Sequence, residues 1–113
     1  MFVNEALVKQ FNKLIDDEYK LANALIFGSA RAYNTALKKR QALADEAKTL
    51  LHIDIRHTVG SKEYCESAVL IYQVANAVGN YRTLARLTCM SEGTMRKKYN
   101  EGKQLYFTWK EIF

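Results

Sequence analysis

Apolar residues recur at helical spacing along most of the chain. From Val3 to Ile26, Leu7, Leu14 and Leu21 stand seven apart and Phe11 and Leu25 fall on the same side. This spacing predicts one amphipathic helix that starts after Asn4, a residue suited to capping. The acids Asp16, Asp17 and Glu18 cross its polar side as a solvated face. Gly28 and Ser29 break the pattern, and Ser29 is placed to cap a second helix through Arg31, Tyr33, Leu37, Leu43, Ala47 and Leu50. Its many alanines allow close approach to a neighbour, so residues 1–52 read as a helical hairpin. From His52 to Val59, Ile53, Ile55 and Val59 alternate with polar residues. That period of two fits a strand or, alternatively, the frayed end of the second helix. Ser61, Glu63 and Tyr64 open a third helix through Ala68, Val69, Ile71, Val74 and Val78, apolar nearly all round and therefore buried, closed by Gly79.

Asn80 then caps a short helix, and Thr83 to Asn100 reads Thr-Leu-Ala-Arg-Leu-Thr-Cys-Met-Ser-Glu-Gly-Thr-Met-Arg-Lys-Lys-Tyr-Asn. Ala85 stands where two helices would cross, a place with room for little more than a methyl group. Leu84, Met90 and Met95 supply the apolar wedge between them, and Ser91 is placed to cap the second helix. This skeleton resembles the helix-turn-helix of the lac repressor family of bacterial regulators. The turn residue that is usually Gly in that family is Cys89, which must then hold a left-handed conformation. Thr88 and Lys98 occupy positions where the pattern prefers apolar groups; Thr88 can bond its hydroxyl back to the helix, and Tyr99 can pack where Lys98 cannot. Gly93 weakens the start of the second helix. Residues 61–103 are expected to form the tri-helical unit that holds such a motif upright, with Gly102 terminating the basic helix.

The formal charge is +5, and its placement matters more than its size. Between Tyr81 and Lys103 lie six basic residues against two acids, an excess of four that accounts for most of the total. A positive field concentrated on the motif favours a nucleic-acid partner. By resemblance, Ser91, Glu92, Gly93, Arg96, Lys97 and Asn100 face double-stranded DNA. Arg96 and Lys97 are placed for guanine or phosphate, Asn100 for adenine or phosphate and Glu92 for a cytosine amine, with Gly93 allowing close approach. Arg82, Arg86 and Lys103 are assigned to phosphates at the rim. The run Lys38, Lys39, Arg40 is a second phosphate contact or an ordinary exposed helix face.

The length suits a single domain, and the absence of proline suits long helices, so the fold class expected is all-α. No run is long and apolar enough to span a bilayer, and Met1 to Lys9 lacks a signal-peptide layout, so no membrane partner and a cytoplasmic location are expected. Cys65 and Cys89 form no close pair and are expected to be reduced and buried. With His52 and His57 they lack the spacing of a zinc site, and no catalytic motif is present. Neither metal, cofactor nor enzymatic activity is expected. Residues 104–113 form an aromatic tail that folds back on the domain or lies in a dimer interface. The reading is a DNA-binding transcriptional regulator, a homodimer through its N-terminal hairpin. The alternative is a phage- or plasmid-type adaptor or inhibitor that grips a host protein with the same scaffold, and a weaker third is an RNA-binding subunit.

Overall fold

The computed structural model of the chain describes residues 3–112, with side chains through Trp109; the Ile112 and Phe113 side chains of the expected aromatic tail lie outside the described residues. The fold is all-α. Five helices follow in order: α1 Glu5–Phe27, α2 Ala30–Leu50, α3 Lys62–Val78, α4 Tyr81–Thr88 and α5 Glu92–Ile112, with no strand among the described residues. No helix among them is long and apolar enough to cross a membrane.

Each helix begins on a short polar side chain that accepts a backbone N–H otherwise left without a partner. Asn4 accepts from Leu7 at 2.9 Å, Ser29 from Ala32 at 3.3 Å and Ser61 from Tyr64 at 3.2 Å. Asn80 accepts from Thr83 at 3.1 Å and Ser91 from Thr94 at 3.2 Å. The helix starts are thus written locally.

Helices α1 and α2 form the expected hairpin, and α1 also rests on α3 and α4. The core lies where the hairpin base meets the other three helices: Phe11 and Leu14 from α1 and Ala47 from α2 pack with Ile71, Leu84 and Met95. Of the heptad leucines, Leu14 is buried and Leu7 is packed against the core, while Leu21 is half-buried and lines a groove between α1 and α2. The molecule is elongated, 54 × 27 × 20 Å along its principal axes.

Residues 52–59 form no strand. His52 adopts φ 60°, its N–H donates to Thr49 O at 3.1 Å, and the Ile53 N–H donates to Lys48 O at 2.9 Å. This left-handed closure pairs the Lys48 and Thr49 carbonyls of α2 and turns Ile53 onto the core. Ile55 and Val59 are exposed. Their alternation has no second strand to pair with among the described residues, where residues 103–109 belong to a helix.

Gly102 does not terminate α5. The helix continues another ten residues to Ile112, and Gly102 is buried at the crossing of α5 with α3. A Cβ at this position would stand 1.9 Å from the Ala68 carbonyl oxygen and 2.4 Å from its carbon. This glycine allows two backbones to touch, a role with no signature in local propensity. Tyr106 and Phe107 of the aromatic segment therefore lie on α5 beside α3, with Tyr72 set against the rings of Tyr99, Tyr106 and Phe107 at 5.2, 5.4 and 6.3 Å.

Candidate nucleic-acid interface

The α4–turn–α5 unit closes as its residue types require. Leu84, Ala85, Leu87 and Met95 are buried between the helices, with Met90 packed at the edge. Thr88, fully buried, donates its hydroxyl to Leu84 O at 2.8 Å, so its polar atom is satisfied without water. Cys89 holds φ 58°, ψ 32°, the left-handed conformation expected of it. Its N–H donates to Arg86 O at 3.3 Å and the Met90 N–H to Ala85 O at 3.0 Å. The same double closure ends α2 at His52 and Ile53. Both cysteines are free, but Cys89 is exposed and Cys65 half-buried, against the expectation that both are buried. The reason is positional: Cys89 serves as a cap with its backbone, which leaves the thiol outside the core.

On α5, the exposed positions Glu92, Gly93, Arg96, Lys97, Asn100, Lys103 and Gln104 recur at intervals of three and four and so form one stripe. A shallow concavity on this stripe is lined by Gly93, Arg96, Lys97, Asn100, Glu101 and Gln104. Ser91 stands at its start, its hydroxyl 2.7 Å from that of Thr94. Arg96, Lys97 and Lys103 have no acidic partner within salt-bridge distance among the described residues. Gln104 joins the stripe unanticipated. Its spacing from Arg96, Lys97 and Asn100 carried the signal, hidden by the reading of Gly102 as a stop.

The two arginines of α4 are placed differently. Arg82 reaches Glu92 across the turn, Nε to Oε2 3.6 Å, with both side chains about two-thirds exposed. Such a pair is weak and open to exchange for phosphate. Arg86 instead meets Glu18 of α1 at 3.5 Å and lies 5.4 Å from the Tyr19 ring centroid. Glu18 is buried, so the solvated role read for it in the sequence is wrong. Its carboxylate points at α4 because Arg86 is there to compensate the loss of water. The Lys38–Arg40 run is likewise divided. Lys38 and Lys39 are exposed, whereas Arg40 donates to Leu87 O at 2.9 Å and also to Arg86 O, which ties α2 to the end of α4.

The inner side of α5 is fastened to α3. Tyr99 donates its hydroxyl to Asn76 Oδ1 at 2.8 Å and stands 5.7 Å from the Tyr81 ring, which is the packing expected in place of Lys98. Lys98 lies 4.8 Å over the Tyr64 ring. Burial holds its ammonium below the usual lysine range, against the opposing pull of Glu101. Tyr64 donates to Glu101 Oε2 at 2.5 Å, and that hydrogen bond, with burial and the carboxylate charge adding to it, pushes the phenol up to about 12.

A titration follows from this bond. The folded pKa lies above the ordinary value of 10.0, so the neutral phenol is the form the fold prefers. The stability it contributes is complete below pH 10 and is lost as pH rises from there toward about 12. Phenolate absorbance should show a late phase from Tyr64. Tyr64→Phe should abolish it and flatten the alkaline decline in stability; a Tyr64→Phe protein with an unchanged late phase would place the shift elsewhere.

No family model matches the chain, and comparison with curated proteins and with solved structures finds no significant match. The functional reading therefore rests on the residues themselves.

Proposed function

We propose that the protein is a sequence-reading DNA-binding regulator that lays the exposed stripe of α5 in the major groove. The observation that carries this is the stripe itself. Arg96, Lys97, Asn100 and Lys103 lie on one rigid helical face, the cations unpaired within the described residues, while the opposite face of the same helix is fixed to α3 through Gly102, Tyr99 and Glu101. A helix braced along its inner side presents its outer side chains from a fixed backbone, so binding need not also order the helix. In this reading Arg96 and Lys97 take guanine edges or phosphate and Asn100 an adenine. Arg82 and Lys103 hold backbone phosphate at the rim. Arg86, committed to Glu18, belongs to the architecture and leaves the set of DNA contacts. Paired half-sites would place two copies of α5 about one helical turn, roughly 34 Å, apart.

Fluorescence anisotropy with a duplex enriched from random sequence, and with its scrambled version, tests the assignment. Arg96→Ala and Lys97→Ala should each cost about 1–3 kcal/mol on the enriched duplex and little on the scrambled one. Arg82→Ala should weaken both alike and make the salt dependence shallower by about one unit. Arg86→Ala should leave the salt slope unchanged. Equal affinity of the wild type and the α5 variants at low salt would sink the DNA reading in favour of a protein-binding adaptor.

A further inference from the structure

The hairpin's inner face extends beyond what it covers. On α1, Phe11, Leu14 and Glu18 face the other helices, and Ala22 and Leu25 continue that face at helical spacing. On α2, Ala47, Ala44 and Arg40 mark the covered part, and Leu37 and Tyr33 continue it toward the turn. Arg40 makes the contact with the end of α4, and beyond it Ala36 is the last buried residue of α2 toward the turn. Beyond Arg40, Leu37 and Tyr33 are 44% and 43% exposed, and on the facing helix Ile26 is 70% exposed. Tyr19, 62% exposed, stands at the border beneath Arg86.

The composition of this overhang is selective. Tyr19, Ala22, Leu25 and Ile26 of α1, with Ala30, Tyr33, Asn34 and Leu37 of α2, include no charged residue. Charges gather instead along the other side of the hairpin, where Asp17, Lys20, Lys39 and Glu46 line a groove between the same two helices. An apolar, aromatic and charge-free centre with charges displaced from it is the composition of an interface core. Taking roughly 200 Å² for each large side chain, the exposed fractions of Tyr19, Ile26, Tyr33 and Leu37 amount to roughly 450 Å² on one chain. Two such surfaces supply roughly 900 Å² before their small neighbours are added, near the ~1,000 Å² of a modest specific interface.

We propose that this overhang docks on the same overhang of a second copy, the two hairpins forming a four-helix bundle about a two-fold axis. A second copy fits because it presents an equal area with the same lack of charge, and because a two-helix layer with one bare apolar face is completed by another such layer. Leu7 and Leu14 are not available for it, since they pack within one chain. The inference rests on the DNA reading only for its purpose, the pairing of two α5 stripes.

Sedimentation equilibrium at micromolar concentration, without DNA, tests it. The wild type should approach twice the 13.0 kDa chain mass. Leu37→Glu and Ile26→Lys should each weaken the association by about tenfold or more, since a charge set in the centre must be desolvated. Both positions are exposed, and circular dichroism should show unchanged helix content. Val59→Glu, at an exposed apolar residue outside the hairpin, should leave the dimer intact. A wild type of one-chain mass overturns the proposal, as does a dimer indifferent to Leu37→Glu and Ile26→Lys, or a monomer that cosediments with phospholipid vesicles through these residues. None of these outcomes depends on DNA affinity, so failure here is distinct from failure of the DNA reading.

Discussion

Gly102→Ala should destabilise the protein by about 3 kcal/mol or more, although alanine is the better helix former by about 1 kcal/mol. The added Cβ would lie 1.9 Å from the Ala68 carbonyl oxygen and 3.0 Å from the Val69 nitrogen. These are backbone atoms of a helix, so no rotamer change relieves the clash. α5 must move away from α3, which opens the crossing beside Ala68 and loosens the Tyr64–Glu101 bond one residue from the glycine. Gly93→Ala supplies the internal control. Nothing lies within 4 Å of a Cβ there, and the same substitution should stabilise by roughly 0.5–1 kcal/mol. Chemical denaturation of the two variants should therefore give shifts of opposite sign. Stabilisation of both variants would mean that helix propensity outweighs the α3–α5 contact.

Arg40→Ala should cost roughly 2–3 kcal/mol, far above the usual effect of replacing a helix-surface arginine. Its guanidinium donates to the carbonyls of Leu87 and Arg86, the first at 2.9 Å, where α4 ends and its dipole is negative. Alanine leaves a part-buried carbonyl without this donor and removes a link between the hairpin and the α4–α5 turn. Lys38→Ala and Lys39→Ala, in the same run but exposed, should change stability by about 0.5 kcal/mol or less. Arg40→Lys should recover part of the loss because one ammonium cannot reproduce the two-pronged contact. Thermal unfolding of the four variants checks the ranking; an Arg40→Ala protein as stable as the lysine variants would mean that water replaces the guanidinium without cost.

Much of the fold was legible because it is determined within a few residues. Asn4, Ser29, Ser61, Asn80 and Ser91 start helices by accepting an N–H three residues on, and that relation is visible in any linear reading. The α4–α5 turn was legible for the same reason: the small Ala85, the left-handed Cys89 and the cap at Ser91 lie close together in the chain. The exposed residues at the start of α5, from its cap Ser91 to Asn100, came from the resemblance of the motif, whereas Gln104 lies beyond the motif and beyond Gly102, which has the local form of a helix end.

Contacts between residues distant in the chain needed the tertiary structure. Arg40 lies 47 residues from Leu87, and Glu18 meets Arg86 across a longer span still. In the sequence each was one of several charges on a polar helix face, and only packing distinguished anchors from solvated neighbours. Gly102 has the local form of a helix end, but its meaning depends on Ala68, which a helix crossing brings against it. The alternation in residues 52–59 formed no sheet because a strand needs a partner, and none is present among the described residues. By itself the sequence determined the helices, their caps and the turn before α5, since these depend on bonds to near neighbours. Tertiary packing decided which cations remain free to meet a ligand and which apolar face is left bare, because both depend on which helix surfaces the fold covers.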